Sequence, residues 1–231
     1  MQAHGSYWEM IVMSDGGNVL VVGASRGIGL EFVRQYAGDG WLVHATTRAI
    51  DRPGPLGEID GAVQLHRVDV VHQQDIADLV GALPYAGINL LIHNAGIYRG
   101  HTREELMAVN ARAPIDTVQA LVDGSRLASN ARVVLMTSQM GARRGSTGSL
   151  GDYGDSKAAL NDEFRLRTPG WGLAGVLAVV IHPGWVRTDM GGSGASLSVE
   201  DSVRGIRRVI AGLATPDHGR FFTWDGREHP W

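Results

Sequence analysis

Seven short, near-continuously apolar runs recur along the chain, at residues 18–23, 41–47, 62–68, 88–93, 131–138, 175–182 and 219–224. Runs of this kind, rich in Val, Ile and Leu and not alternating with polar residues, predict strands buried on both faces. The segments between them carry mixed apolar and polar positions and predict helices at 27–38, 74–83, 103–128, 152–167 and 199–213. Pro114 predicts a kink or break in the third helix. Pro169 predicts that the fourth ends near Arg167, because an interior proline costs ~3 kcal/mol or more and removes a hydrogen bond. Ser198, with Asp201 three places on, marks the start of the last. Strands that alternate with helices specify an α/β fold, a doubly wound seven-stranded parallel sheet in a single domain. Right-handed crossovers gather the strand C-terminal ends on one edge, where ligands bind in such sheets. Gly and Ser concentrate at 141–151 and 191–196, which predicts two mobile loops.

The length of 231 residues suits one domain with a substantial core. Residues 1–16 differ in character from the rest of the chain and are expected to be an N-terminal extension, with Met13 a plausible start; the domain is expected to span 17–231. A formal net charge of −3 gives no basic field, so neither nucleic acid nor an anionic membrane is an expected partner. The absence of cysteine removes disulfides, thiolate metal sites and cysteine nucleophiles, and no metal site is expected. No apolar run reaches the ~18 residues of a spanning helix, and the first twenty residues lack the pattern of an export signal. A cytoplasmic protein is the expectation.

Candidate chemistry begins directly after the first strand, at Gly23-Ala24-Ser25-Arg26-Gly27-Ile28-Gly29. Glycines here permit a tight turn and close approach of backbone N–H groups to a pyrophosphate, at a helix N-terminus that favours anions. Such a loop is weak evidence alone; its place between a strand and a helix strengthens it. The second strand ends Thr46-Thr47-Arg48, with no acid to grip a ribose 2′-hydroxyl. Arg48 and Arg26 are instead suited to clamp a 2′-phosphate, which favours NADP(H) over NAD. The competing reading makes both arginines ordinary surface charges.

The chain holds one lysine against 20 arginines, and that lysine, Lys157, stands four residues after Tyr153. An ammonium is a compact charge whose pKa can be moved, whereas a guanidinium is a fixed fork, so the exception suggests chemistry.

These features together resemble the short-chain dehydrogenase/reductase family, with a match from about Asn18 to the C-terminus. The resemblance rests on the glycine loop, Asp69, His93-Asn94-Ala95-Gly96, Asn110, Ser138, Tyr153-x-x-x-Lys157 and Pro183-Gly184-Trp185-Val186-Arg187-Thr188, which fall in the family's order. The stretches PGWVRTDMGG and GRFFTWDGREHPW resemble more narrowly its C-factor or Sniffer-like branch. The resemblance implies a Rossmann-type fold and an NADP(H)-dependent oxidoreductase that reduces a ketone or aldehyde, or oxidises the alcohol, by hydride transfer. Tyr153 would be the general acid, and Lys157 would lower its pKa from about 10 and bond the nicotinamide ribose. Ser138 would stabilise charge on the substrate oxygen, and Asn110 would hold a water linking Lys157 to solvent. Asp69 and Val70 would contact adenine, and Asn94, Ala95 and Gly96 the adenosine ribose. Val186 and Thr188 would hold the nicotinamide carboxamide, and Pro183 and Gly184 would bind the cofactor beside them.

Val22 and His93 depart from the family's usual Thr and Asn. Arg143 and Arg144 are placed to greet an anionic substrate or, more simply, to sit on a solvated loop. A homodimer is the expected assembly, although Asp162, Glu163, Arg165 and Arg167 make the usual interface helix highly charged. The Gly/Ser-rich lid at 189–198 suggests an open pocket. A signalling or regulatory protein that binds NADP(H), with incidental catalysis, is the alternative; an epimerase or dehydratase on the same scaffold is the third.

Overall fold

The computed structural model describes residues 16–143 and 151–231. The expected N-terminal extension therefore lies outside the described residues but for Gly16, as does Arg144. Within them the apolar runs form β1 (Asn18–Val22), β2 (Leu42–Thr47), β3 (Val63–Arg67), β4 (Ile88–His93), β5 (Leu127–Met136), β6 (Leu177–His182) and β7 (Phe221–Thr223). All neighbouring strands pair in parallel, in the order β3-β2-β1-β4-β5-β6-β7. From β1 the chain winds outward through β2 and β3, then crosses back to β4 on the other side. That reversal opens a crevice beyond the C-terminal ends of β1 and β4.

The helices are α1 (Gly27–Gly38), α2 (Gln73–Ala82), α3 (Arg103–Met107), α4 (Ala113–Asp123), α5 (Gly151–Leu173) and α6 (Val199–Gly212). Consecutive strand residues serve opposite faces, so each continuous apolar run feeds two cores. Val19, Val21 and Val43 pack with Phe32 of α1 and Ile206 of α6. Leu20, Val22 and Leu91 pack on the other face with Leu79 of α2, Val118 of α4 and Phe164 of α5. Both faces of the sheet are thereby covered.

The expected helix at 103–128 is interrupted and shorter. Between α3 and α4 lies a wide π-type turn, Ala108–Arg112, and Pro114 follows in the first turn of α4. Pro114 has no N–H to offer the Asn110 carbonyl four residues back, so the regular ladder cannot continue through this point. α4 stops at Gly124, and Ser125 takes φ 52°, so that β5 starts at Leu127, earlier than the apolar run itself.

The expected end of the fourth helix near Arg167 is incorrect: α5 runs through Pro169 to Leu173. The missing N–H forfeits one bond, to the Arg165 carbonyl. Against this, the last turn buries Trp171, whose ring meets Phe164 at 6.1 Å and whose indole N–H donates to Gln119 Oε1 of α4 at 3.2 Å. Burial of an aromatic of that size stabilises by roughly 3 kcal/mol, comparable to the proline penalty. The Thr168 hydroxyl also donates to the Phe164 carbonyl, keeping this turn helical.

Candidate active site

The crevice holds a cleft of about 520 Å³ that runs from the glycine loop to the first turn of α5. At its outer end Gly23 takes φ 81°, and a Cβ there would lie 2.6 Å from Ala95 Cα. A Cβ on Gly29 would stand 2.1 Å from the Gly23 carbonyl oxygen. The loop is thus closed down on itself and on the β4 end, as a cradle that side chains would fill. Gly23 N–H donates to Thr46 Oγ1 at 3.0 Å, and Asn94 Nδ2 donates to the Gly23 carbonyl at 3.0 Å. Ser25, Arg26, Gly27 and Ile28 line the cleft where α1 begins. These N–H groups and the helix dipole favour a phosphate. Gly29 stands behind this wall.

Arg48, Asp69, Val70, Asn94, Ala95 and Gly96 continue the lining along the ends of β2, β3 and β4. Asp69 is fixed by its own backbone, whose N–H donates to Asp75 Oδ2 at 2.7 Å, and its Oδ1 accepts from Val71 N–H. Arg26 does not point freely toward Arg48: its Nη1 donates to Asp189 Oδ2 at 2.6 Å across the cleft mouth. Pro183 and Thr188 line the opposite wall, whereas Gly184 and Val186 do not. Gly184 turns with φ 86° against Leu197 and Trp224, and Val186 is buried, bridged to Leu197.

At the inner end, Tyr153 and Lys157 both line the cleft from the first two turns of α5. Lys157 is 5% exposed, and its Nζ donates to the Met136 carbonyl at 2.9 Å. Burial pulls its amine down to about 8. Burial pushes the Tyr153 phenol up to about 12, against the opposing effect of the nearby Ser138 hydroxyl. This is opposite to the direction expected from Lys157, because the desolvation of a phenolate outweighs the contacts that favour it. Ser138 is buried just beyond β5 and does not line the cleft; its Oγ accepts from Met140 N–H.

Asn110 is fully buried behind the cleft, and its side chain is committed to protein partners. Its Oδ1 accepts from Ile97 N–H and its Nδ2 donates to the Ile97 carbonyl, both at 2.9 Å; Nδ2 also donates to Ser156 Oγ at 3.0 Å. The Ser156 hydroxyl in turn donates to the Tyr153 carbonyl at 2.7 Å. Asn110 therefore joins the β4 loop to the tyrosine turn. The water expected on its side chain would have to use the backbone carbonyl instead.

Several residues of the site carried no readable signal. Tyr98 packs its ring 4.6 Å from that of Tyr153, and Met136 accepts from Lys157 through a carbonyl that any residue would have. Arg103 Nη1 donates to Asp152 Oδ1 at 2.9 Å and Asp155 Oδ2 at 2.6 Å, tying α3 to both sides of the tyrosine. His93 is buried with neither ring nitrogen partnered among the described residues, and burial together with the Lys157 charge lowers it to about 3. The lid is bulkier than its glycines suggested: Trp185 and Met190 stand exposed at its base and rim. It is also tied to itself, by Arg187 Nη1 donating to the Ser196 carbonyl and Trp185 Nε1 to the Gly191 carbonyl, both at 2.9 Å. Arg143 is paired with Asp162 of α5.

The family model for short chain dehydrogenases matches residues 17–196. C-signal of Myxococcus xanthus is 39% identical over 156 residues, which is 62% of this chain and 93% of that protein. The structure of NADPH-bound carbonyl reductase from chicken fatty liver is 29% identical, with a TM-score of 0.79 over 94% of this chain and 99% of that one. The carbonyl reductase Sniffer of Drosophila melanogaster is 25% identical, with a TM-score of 0.81 over 94% and 100%. With its parallel sheet, glycine cradle and Tyr153–Lys157 pair, the chain belongs to the short-chain dehydrogenase/reductase family, among C-signal and Sniffer-like carbonyl reductase relatives.

Proposed function

We propose that this protein is an NADP(H)-dependent carbonyl reductase in which Tyr153 delivers the proton. The observation that carries this reading is that Tyr153 and Lys157 line the inner end of a cleft whose outer end is a phosphate cradle, with Ser138 close to the tyrosine. The loop fits a pyrophosphate because Gly23 and Gly29, where a Cβ would clash, permit a turn tight enough for backbone N–H groups at the start of α1 to meet the phosphates. Asp69 and Val70 would hold the adenine, Asn94 to Gly96 the adenosine ribose, and Thr188 the carboxamide, whereas Val186, buried away from the cleft lining, would make no such contact. Arg48 and Arg26 would take the 2′-phosphate. When bound, NADPH supplies the hydride.

The chain's own residues supply the rest. A phenol held at about 12 is protonated at neutral pH; it is a weaker acid than a free tyrosine, and would donate to a carbonyl oxygen as negative charge develops there. The Ser138 hydroxyl, close to that phenol, would share the same oxygen and stabilise its charge. Lys157, buried beneath with its amine near 8, holds an exchangeable proton close to working pH. The Asn110 carbonyl, which cannot accept from Pro114, would take a water leading outward.

A two-fold homodimer belongs to the same reading, through the outer face of α5, where Leu166 and Leu173 are exposed. The M. xanthus relative named C-signal keeps the regulatory alternative in view. The intact proton-donor site favours an enzyme. The experiment is a spectrophotometric assay of NADPH and NADH oxidation with small diketones, quinones, aldehydes and aromatic ketones. Carbonyl-dependent oxidation of NADPH in preference to NADH is expected. Binding of NADPH with no consumption across the panel would favour the regulatory alternative.

A further inference from the structure

Arg26 stands at the N-cap of α1 with extended backbone, φ −160° and ψ 170°, and its side chain makes no capping bond. Its guanidinium instead crosses the cleft mouth to Asp189, Nη1 to Oδ2 at 2.6 Å. Both residues line the cleft. The contact joins two segments far apart in sequence, the glycine loop and the lid after β6. The neighbouring residues abut as well, since a Cβ on Gly27 would lie 3.3 Å from Thr188 Cγ2. The side chains are 70% and 78% exposed, so the direct contact is screened by solvent and cheap to break.

A carboxylate in this place presents to Arg26 the chemistry of a phosphate, two oxygens and negative charge, but with one charge where a phosphate monoester carries close to two. We propose that Asp189 is a specificity-determining residue for the cofactor: it occupies Arg26 until a phosphate monoester displaces it, and so sets the margin by which NADP(H) is bound over NAD(H). This inference rests on the reading of the cleft as an NADP(H) site. The same exchange releases the lid from the glycine loop when the correct cofactor arrives, because Asp189 then loses its partner. The two cofactors differ only by that phosphate monoester, so NADH lacks the group that competes best with the carboxylate.

The test is equilibrium titration of the full chain with NADPH and with NADH, followed by nicotinamide fluorescence, which requires no turnover. Four proteins are compared: the unmodified chain, Asp189→Asn, Arg26→Ala and the double variant. Removing an exposed competing charge should tighten NADPH binding roughly two- to five-fold and change NADH binding less. Arg26→Ala should weaken NADPH, and in that background Asp189→Asn should have no further effect. The inference is overturned if Asp189→Asn leaves NADPH affinity unchanged or weakens it, or if its effect is the same for NADH or persists without Arg26. If the unmodified chain binds no NADPH, the reading of the cleft fails and this inference falls with it.

Discussion

Asn110 donates from its amide to the Ser156 hydroxyl at 3.0 Å, so the π-type turn before α4 is bonded directly to the helix that carries Tyr153 and Lys157. Asn110→Ala would leave the Ile97 N–H and carbonyl without their present partners in a buried setting. The expected loss is about 1–3 kcal/mol of stability, measured by urea unfolding. Turnover should fall more than NADPH affinity, because the disturbed element is the tyrosine turn and not the glycine cradle. Equal losses of kcat and NADPH affinity would contradict that assignment.

Lys157 is maintained against its own solvation. Its amine is buried and donates to the Met136 carbonyl, and it sits near 8 because of that burial. Lys157→Met should abolish turnover while leaving the protein at least as stable, since an apolar side chain of similar length suits the site better. For the unmodified enzyme, the rate of carbonyl reduction should fall as pH rises through about 8, as the Lys157 proton is lost. The check is a pH–rate profile in the reducing direction, and a flat profile between pH 7 and 9 would exclude Lys157 as the titrating group.

Buried histidines make the fold acid-sensitive. Burial depresses His93 to about 3 and both His44 and His182 to about 4, from an ordinary value near 6.5. Each is neutral in the folded chain and readily protonated in the unfolded one. Their contribution is therefore complete above pH 6.5 and is lost as pH falls from there toward 4 and below. His93, the most buried, should contribute a slope of up to ~1.4 kcal/mol per pH unit in that window. Urea midpoints at pH 7, 6 and 5 should decline steeply, and His93→Asn should reduce the slope. An unchanged slope in that variant would show that His93 is protonated without cost.

Much of the fold and of the site is legible in the chain. The seven apolar runs form strands because both faces of a parallel sheet are buried, and the bounds of α1 follow from Gly27 at its start and Gly38 at its end. Tyr153 and Lys157 can be paired from spacing alone, since four residues is one turn of helix. The illegible part lies in contacts between distant segments. Pro169 reads locally as a helix end, and contacts that the chain does not advertise, Trp171 meeting Phe164 and Gln119 and the Thr168 hydroxyl bonded to the Phe164 carbonyl, hold the helix through it. Arg26 reads as a free phosphate ligand, and only the placement of the lid gives it Asp189. The direction of the Tyr153 shift escapes a reading of the chain for a related reason: a nearby lysine is visible in sequence, and the depth of burial is not.

The central claim is that Tyr153 donates the proton in an NADPH-dependent carbonyl reduction. Tyr153→Phe removes one hydroxyl from a side chain whose ring is already held against Tyr98. It should leave the fold and NADPH affinity nearly intact. The decisive measurement is carbonyl-dependent NADPH oxidation by Tyr153→Phe beside the unmodified chain, with NADPH affinity measured on both. The expected result is a loss of at least about 100-fold in kcat with NADPH affinity within about two-fold. Turnover by Tyr153→Phe at the unmodified rate would contradict the claim.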